Sequence, residues 1–380
     1  MKILNVIDNI DEKTGAGAAE RTRQLGRHLC DLGHDVSLLT TKYNLTPSNI
    51  SSLGSVKLIA LSCFSYRYYI PLPLFWVFNK AVKDADIVHL VSHWSILNVI
   101  VYLFVIMHKK PYVISPLGAL PIFGRSSWKK RLYNFIVGIN IIRKANICVV
   151  ATLDEVPELI RYSVDESSIT HIPNGINEND YLDSGISEEF SFLYKHPFIL
   201  YIGRLNPIKG PDLLLEAFSR VKDFFSDTHL VYIGLETFEG GTLKLLKKTA
   251  SEHLMNERTH FLGWVSREDK AAILHASLLL AIPSRKDAMS IVVLESGIVG
   301  KPVLISDQCG FDEVADVDGG VVVPASIDGI AEGLKELLGQ ESDLSRMGLN
   351  LQKLVKSNFL WSTTAKKYSS IFTQVIKNHI

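Results

Sequence analysis

Two doubly wound α/β domains are the fold class that this sequence predicts, from three observations. The chain has 380 residues, more than one hydrophobic core usually organises. Short apolar or β-branched runs alternate with helix-period segments almost throughout. A stretch rich in Asp, Glu, Ser and Gly, Asn177 to Glu189, interrupts the alternation and reads as a linker. In doubly wound sheets ligands sit beyond the carboxyl ends of the strands, so a cleft between the domains is where chemistry is expected.

The elements follow in order. MKILNVI, DVSLLT, DIVHLV, YVIS and ICVVAT read as the strands of the first domain. Between the first two, Ala18 to Leu32 has helical periodicity, with Leu25, Leu29 and Leu32 on one face and Gly33 as the stop. After the linker come FILYIG, LVYIG, THFLG, LLLAI, PVLIS and VVVP. The domains are therefore expected over 1–185 and 190–363, with a closing helix over 364–380 packing back on the first.

Apolar residues make up 47% and charged residues 21%, as in a soluble globular protein. Cys30, Cys63, Cys148 and Cys309 are widely spaced and form no C-x-x-C pair. That favours a reducing compartment and argues against a structural zinc site. The start of the chain does not read as a signal peptide. Ile96 to Met107 is the most apolar run, too short for the roughly 20 residues that span a bilayer, and reads as a buried helix. A cytoplasmic location is expected, with no nucleic-acid partner. Net charge is zero, yet residues 1–150 hold 18 Lys and Arg against 8 Asp and Glu, and the remainder 22 against 32. The basic first part suits an anionic neighbour, although attraction between the two domains explains the asymmetry equally well.

The first βα turn contains Gly15-x-Gly17. A dinucleotide fingerprint is not completed: Glu20 stands at the third glycine, and no acid follows the second strand at Thr40-Thr41. A glycine loop opening a helix remains, either an anion site or a simple turn. YIGRLNPIKGPDLLLEAF is a strand ending at Gly203, a loop with Arg204 and Lys209, and a helix that Pro211 starts. Leu214, Ala217, Phe218 and Val221 of that helix face inward. Two cations beside a helix N-terminus suit a diphosphate, or are ordinary solvated charges. In PSRKDAMSIVVLESGIVGKPV, Asp287 lies on a loop and Glu295 lies on the helix that Ile291 begins. That spacing suits two contacts along an extended ligand better than a close acid/base pair. No D-x-D triplet stands in a metal-binding context.

The strand–GRLNPIKG–helix unit followed by PSRKDAMSIVVLESGIVGKPV resembles the retaining glycosyltransferases of family 4, of GT-B fold. GAGAAER, HIPNGIN, THFLGWV and the terminal FLWS agree in order. The resemblance implies two Rossmann-like domains, a nucleoside-diphosphate sugar held by the second and an acceptor glycan or lipid-linked saccharide held by the first. It implies no cofactor and no obligatory metal. Arg204 and Lys209 are then the diphosphate contacts, Glu295 holds the ribose, and Asp287 faces the donor sugar with Arg204 and Lys209 as the catalytic set. Gly203 and the backbone from Met289 through Ser290 and Ile291 to Val292 meet phosphate and sugar. Gly263 and Val265 lie near the base, and Gly17 lets the first-domain loop approach the phosphates.

Three positions depart from the family pattern. Asp287 replaces the usual Glu, Ala18 a glycine, and Leu117 a histidine. His89 and His93 are alternative cleft histidines, or structural ones. Residues 125–144 cluster cations ahead of an apolar stretch with Trp128, Tyr133 and Phe135. This is either an anionic-membrane contact at the inner face or a core helix with a charged end. The function implied is transfer of a sugar to an acceptor hydroxyl with retention, in cell-surface polysaccharide or glycolipid synthesis. The rival readings are another GT-B enzyme (an epimerase or a disaccharide phosphorylase) and a non-catalytic sugar-nucleotide-binding partner.

Overall fold

A computed structural model describes residues 1–11, 16–65, 68–122, 127–236, 240–287, 289–339 and 341–379. Gly15, Arg125, Ser126 and Ala288 lie outside the described residues. The chain divides into two units, Met1–Gly175 with Trp361–Ile380, and Ile176–Leu360.

The first unit holds β1 (Lys2–Val6), β2 (Asp35–Thr41), β3 (Lys57–Leu61), β4 (Cys63–Ser65), β5 (Ile70–Pro71), β6 (Ile87–Val91), β7 (Tyr112–Ser115), β8 (Ile147–Val150) and β9 (Ile169–His171). Its main sheet is parallel, in the order β3-β2-β1-β6-β7-β8-β9, and β4 pairs with β5 apart from it. The second unit holds β10 (Phe198–Ile202), β11 (His229–Ile233), β12 (Thr259–Gly263), β13 (Leu279–Ile282), β14 (Val303–Ser306) and β15 (Gly320–Val323). They form a second parallel sheet, β12-β11-β10-β13-β14-β15. Strands buried on both faces read as the continuous apolar runs seen in the sequence. Two Rossmann-like parallel sheets are thus present, each with its own core.

The Trp361–His379 helix belongs to the first unit, where Tyr368 and Phe372 are fully buried. The first unit stops at Gly175, ahead of residue 185. The stretch read as a linker folds onto the second unit: Ile176 bridges to Leu360, and Tyr181 and Phe190 pack on that unit's core. Three helices differ from expectation. The first spans Ala16–Asp31, with Leu25 and Leu29 buried but Leu32 39% exposed in the turn beyond it. Ile96–Met107 buries Leu97, Val101 and Val105 yet exposes Leu103, Ile106 and Met107, so it is a half-buried helix. Residues 127–143 form a helical run with a π-turn at Asn134–Gly138. That run is half buried: Asn134, Ile141 and Ile142 are interior, while Trp128 is 64% exposed, Phe135 85%, and Leu132 and Ile136 are also exposed.

Candidate active site

In the second sheet the winding direction reverses between β10 and β13. Loops leaving two such neighbours diverge and open a crevice at their carboxyl ends. Residues 203–210, 283–287, Met289 and Ser290 form its walls. Gly210 has φ 68°, and a Cβ there would lie 2.0 Å from the Pro283 carbonyl oxygen, so glycine lets the two loops touch. Arg285 ties them further. Its N–H donates to the Ile208 carbonyl at 2.7 Å, and its guanidinium grips both Asp212 oxygens at 2.9 and 2.6 Å. Asn206 accepts the Lys209 N–H at 3.0 Å, and the Gln308 carbonyl accepts the Asp287 N–H at 2.9 Å. Between these anchors Lys209 Nζ meets Asp287 Oδ2 at 2.6 Å.

Of the expected site residues, Gly203, Lys209, Asp287, Met289, Ser290, Ile291 and Val292 line one pocket of about 240 Å³. Ser290 precedes the Ile291–Ile298 helix without a side-chain cap bond, so the helix's first amides stand open at this wall, where an anion is favoured. The structure does not bring every expected residue to the pocket. Arg204 is exposed and absent from the lining, and its carbonyl accepts from Tyr201 Oη at 3.0 Å and from the Asn206 N–H at 2.9 Å. Gly263 ends β12 at φ 71°, and Val265 is buried in the core; neither lines the pocket.

Glu295 also lies off the pocket lining, on the buried face of its helix at 7% exposure. Lys270 Nζ donates to its Oε1 at 2.9 Å, and Oε2 is sealed from solvent. The Lys270 ammonium also stands 5.6 Å from the Tyr181 ring centroid. Burial first, then the Glu295 charge and a hydrogen bond to that carboxylate, holds the Tyr181 hydroxyl protonated far above its ordinary range. Sequence reasoning named neither Lys270 nor Tyr181. A lysine one turn into the helix after THFLGWVS was the available signal for Lys270; Tyr181 lay in the supposed linker.

In the first unit, Gly17 is exposed in the first turn of its helix, with open space where a Cβ would stand. His89 and His93 are interior residues rather than cleft histidines, at 2% and 1% exposure. His89 sits between Asn5 Oδ1 at 3.0 Å and Ser115 Oγ at 2.8 Å, beside Tyr368 and Phe372. Burial, then the Arg21 charge, lowers it to about 3. His93 Nε2 contacts Asn134 Oδ1 at 2.8 Å among Trp94, Tyr133 and Tyr162, and burial lowers it to about 4. Sequence reasoning also passed over Asp8. This sheet reverses between β1 and β6, and Asp8 follows β1 there, accepting from Ser95 Oγ at 2.6 Å. Burial pushes its carboxyl up to about 6.

Two parallel sheets of this type, one with a phosphate-suited crevice at its reversal point, are the architecture of GT-B proteins, and comparison with known proteins makes this one a glycosyltransferase. The profile described as Glycosyltransferase Family 4 matches residues 15–180, and that of Glycosyl transferases group 1 matches residues 186–354. The chain belongs to the family 4 glycosyltransferases. An uncharacterized glycosyltransferase of Methanocaldococcus jannaschii is 27% identical over 318 residues, 80% of this chain and 79% of its own. A D-inositol 3-phosphate glycosyltransferase of Corynebacterium efficiens is 24% identical over 245 residues; the match takes in 62% of this chain and only 58% of that relative's length. Among solved structures, Anabaena HepE in complex with UDP and glucose aligns at TM-score 0.75 and 16% identity over 98% of this chain and all of its own. A Rickettsia africae glycosyltransferase aligns at 0.76 and 19% identity over 99% of each chain.

Proposed function

We propose that this glycosyltransferase moves a sugar from a nucleoside-diphosphate sugar to an acceptor hydroxyl with retention, needing no metal, in polysaccharide or glycolipid synthesis. The observation that carries the reading is the β10/β13 crevice. It combines a cation, Lys209, a helix N-terminus and a carboxylate, Asp287, in one pocket. Lys209 and the helix amides neutralise the diphosphate in place of a metal ion. Asp287 accepts hydrogen bonds from the sugar hydroxyls, and Glu295, farther along the helix, accepts from the ribose. Arg204, exposed on the same loop, turns to the phosphates when the donor is bound. Donor binding has to part Asp287 from Lys209, which places the sugar and the leaving phosphate on either side of that pair. On the first unit, the Asp8–Ser95 pair at the sheet's reversal point supports an acceptor site.

The test titrates a nucleoside diphosphate and its sugar conjugate, in EDTA, against three variants. Lys209→Ala is expected to weaken both ligands by about 10-fold or more, the worth of one charge-assisted hydrogen bond. Glu295→Gln weakens both alike. Asp287→Asn spares the nucleoside diphosphate and harms the conjugate or its turnover. Binding or turnover that requires added manganese or magnesium, or an Asp287→Asn loss on the bare nucleoside diphosphate equal to that of Glu295→Gln, overturns the assignment.

Peripheral contact with an anionic membrane face belongs to the same proposal. Among the described residues no helix is long and apolar enough to cross a membrane. Trp128, Leu132, Phe135 and Ile136 stand exposed beside Lys129, Lys130 and Arg131, the pairing of apolar and basic side chains that an interfacial helix uses. Replacing the three cations by Ser is expected to weaken binding to phosphatidylserine vesicles steeply, at about 1 kcal/mol per cation. Equal sedimentation of variant and parent with those vesicles, or none by the parent, dismisses the contact.

A further inference from the structure

The Phe75–Asp84 helix turns Phe78 and Val82 into the core of the first unit. A second stripe of that helix, Trp76, Val77, Lys80, Ala81 and Asp84, lines a groove of about 690 Å³, against about 240 Å³ for the crevice pocket. Small-ligand pockets span roughly 300–1,000 Å³. Across the groove lie the starting residues of three neighbouring strands: Lys2 and Leu4 of β1, Asp35 and Ser37 of β2, and Lys57 and Ile59 of β3. It therefore stands at the opposite end of β1 from Asp8, away from the carboxyl ends where ligands of such sheets are expected.

The lining selects the kind of ligand. A strand of a parallel sheet covered on both faces reads as an unbroken apolar run. Lys2, Asp35, Ser37 and Lys57 break those runs here, which disfavours a lipid chain or an apolar protein face as the occupant. Lys57 pairs with Asp35 at 2.8 Å. The Lys2 and Lys80 ammonium groups and the Asp84 carboxylate have no partner among the described residues. Three ammonium groups against two carboxylates are too evenly matched for an anion site, where cations collect. They suit a neutral ligand whose hydroxyls donate to carboxylates and accept from ammonium groups. Trp76, 68% exposed at the rim, adds a rigid apolar ring with a polar edge. A pyranose combines the two requirements, since it carries hydroxyls around its edge and C–H bonds on a face that stacks on an indole.

We infer that this groove is a second saccharide site, which holds a non-reacting sugar residue of the acceptor or product glycan away from the point of transfer. The inference rests on the glycan acceptor proposed above and not on the donor crevice. Trp76 is the stacking platform, and Lys2, Lys80 and Asp84 take the ring hydroxyls. A chain tethered there keeps its other end at a raised local concentration around the same enzyme molecule.

The experiment is native electrophoresis of the full chain through gels that carry dextran, soluble starch, galactomannan or xylan. At least one of these is expected to retard the parent, and the retardation against polymer concentration gives an affinity. Trp76→Ala should weaken it by about 10-fold, the effect of one aromatic anchor, and Trp76→Phe should recover most of the loss. Lys80→Met and Asp84→Asn should each weaken it by about 5-fold, through one hydrogen-bonding group. All three positions are exposed, so the urea midpoint should stay at the parent's value. Calorimetric titration with UDP, GDP and ADP should give the same affinities for parent and groove variants. A parent retarded by none of the four polymers, or a Trp76→Ala variant retarded as strongly as the parent, overturns the inference and leaves the donor reading intact. So does retardation abolished by Lys209→Ala instead, which would put the glycan in the crevice. Loss by Trp76→Ala of phosphatidylserine-vesicle binding or of self-association, with retardation unchanged, gives the groove to a membrane or to a second copy and also overturns it. A parent that binds none of the three nucleotides while Trp76-dependent retardation persists overturns the donor reading alone.

Discussion

Gly210→Ala is expected to dismantle the donor crevice. The added Cβ falls 2.0 Å from the Pro283 carbonyl oxygen and 2.9 Å from its carbon. Both are backbone atoms, so no side-chain rotation relieves the overlap. The residue also sits at φ 68°, where a side chain alone costs about 1–2 kcal/mol. Overlap and backbone strain together put the loss at about 3 kcal/mol or more. The Pro283–Asp287 loop must withdraw, and the Lys209–Asp287 pair opens with it. Nucleoside-diphosphate affinity should then fall by more than about 10-fold, through one charge-assisted contact at least. Gly339→Ala, at the end of the Ile327–Gly339 helix and outside the crevice, is the control. Nothing lies within 4 Å of that Cβ, and alanine favours a helix over glycine. Urea unfolding and ligand titration of both variants check the contrast. A parent-like midpoint and affinity in Gly210→Ala sinks the account.

That contrast also shows where the sequence was readable. Gly210 and Pro211 punctuate a strand–loop–helix unit locally, so the loop carrying Lys209 was legible without a structure. The same holds for Asp287 and Glu295, whose loop and helix placements follow from Pro283 and the apolar run after Ser290. Their partners were less accessible. Lys270 reaches Glu295 across 25 residues, and Tyr181 meets Lys270 from a polar stretch that composition marks as linker. Acidic and serine-rich residues there satisfy a surface, while Ile176, Tyr181, Ile186 and Phe190 anchor it, a spacing that fits no helix or strand period. Exposure of Leu103 and Phe135 was hidden for the opposite reason. An apolar run looks alike whether its second face meets a core or is left open, since periodicity reports only the strongest contrast. His89 and His93 failed as cleft residues because the closing helix that buries His89, through Tyr368 and Phe372, lies almost 280 residues away in the chain.

Burial of those histidines carries the second large effect: the first unit should lose stability steeply on acidification. His89 is lowered to about 3 and His93 to about 4, from an ordinary 6.5, chiefly by burial. As pH falls below about 6.5, the unfolded chain takes up both protons while the folded unit refuses them. Stability is therefore full above that pH and lost progressively down towards the two folded values. Asp8 works against this. Its carboxyl is raised from 3.8 to about 6 by burial, so the folded unit takes its proton first and gains as pH falls from about 6 to 4. Two histidines, each displaced further from its ordinary value, outweigh one aspartate. At pH 4 the net loss is on the order of 2–4 kcal/mol, a large part of a domain's stability. Urea unfolding followed through the first unit's tryptophans at pH 7.5, 6 and 4.5 measures the slope. Histidine ring resonances in the folded protein give the cause, since His89 and His93 should keep their neutral shifts at pH 5. A flat or rising stability between pH 6.5 and 4.5, or rings that titrate near 6.5, would show that neither histidine is sealed beneath this fold.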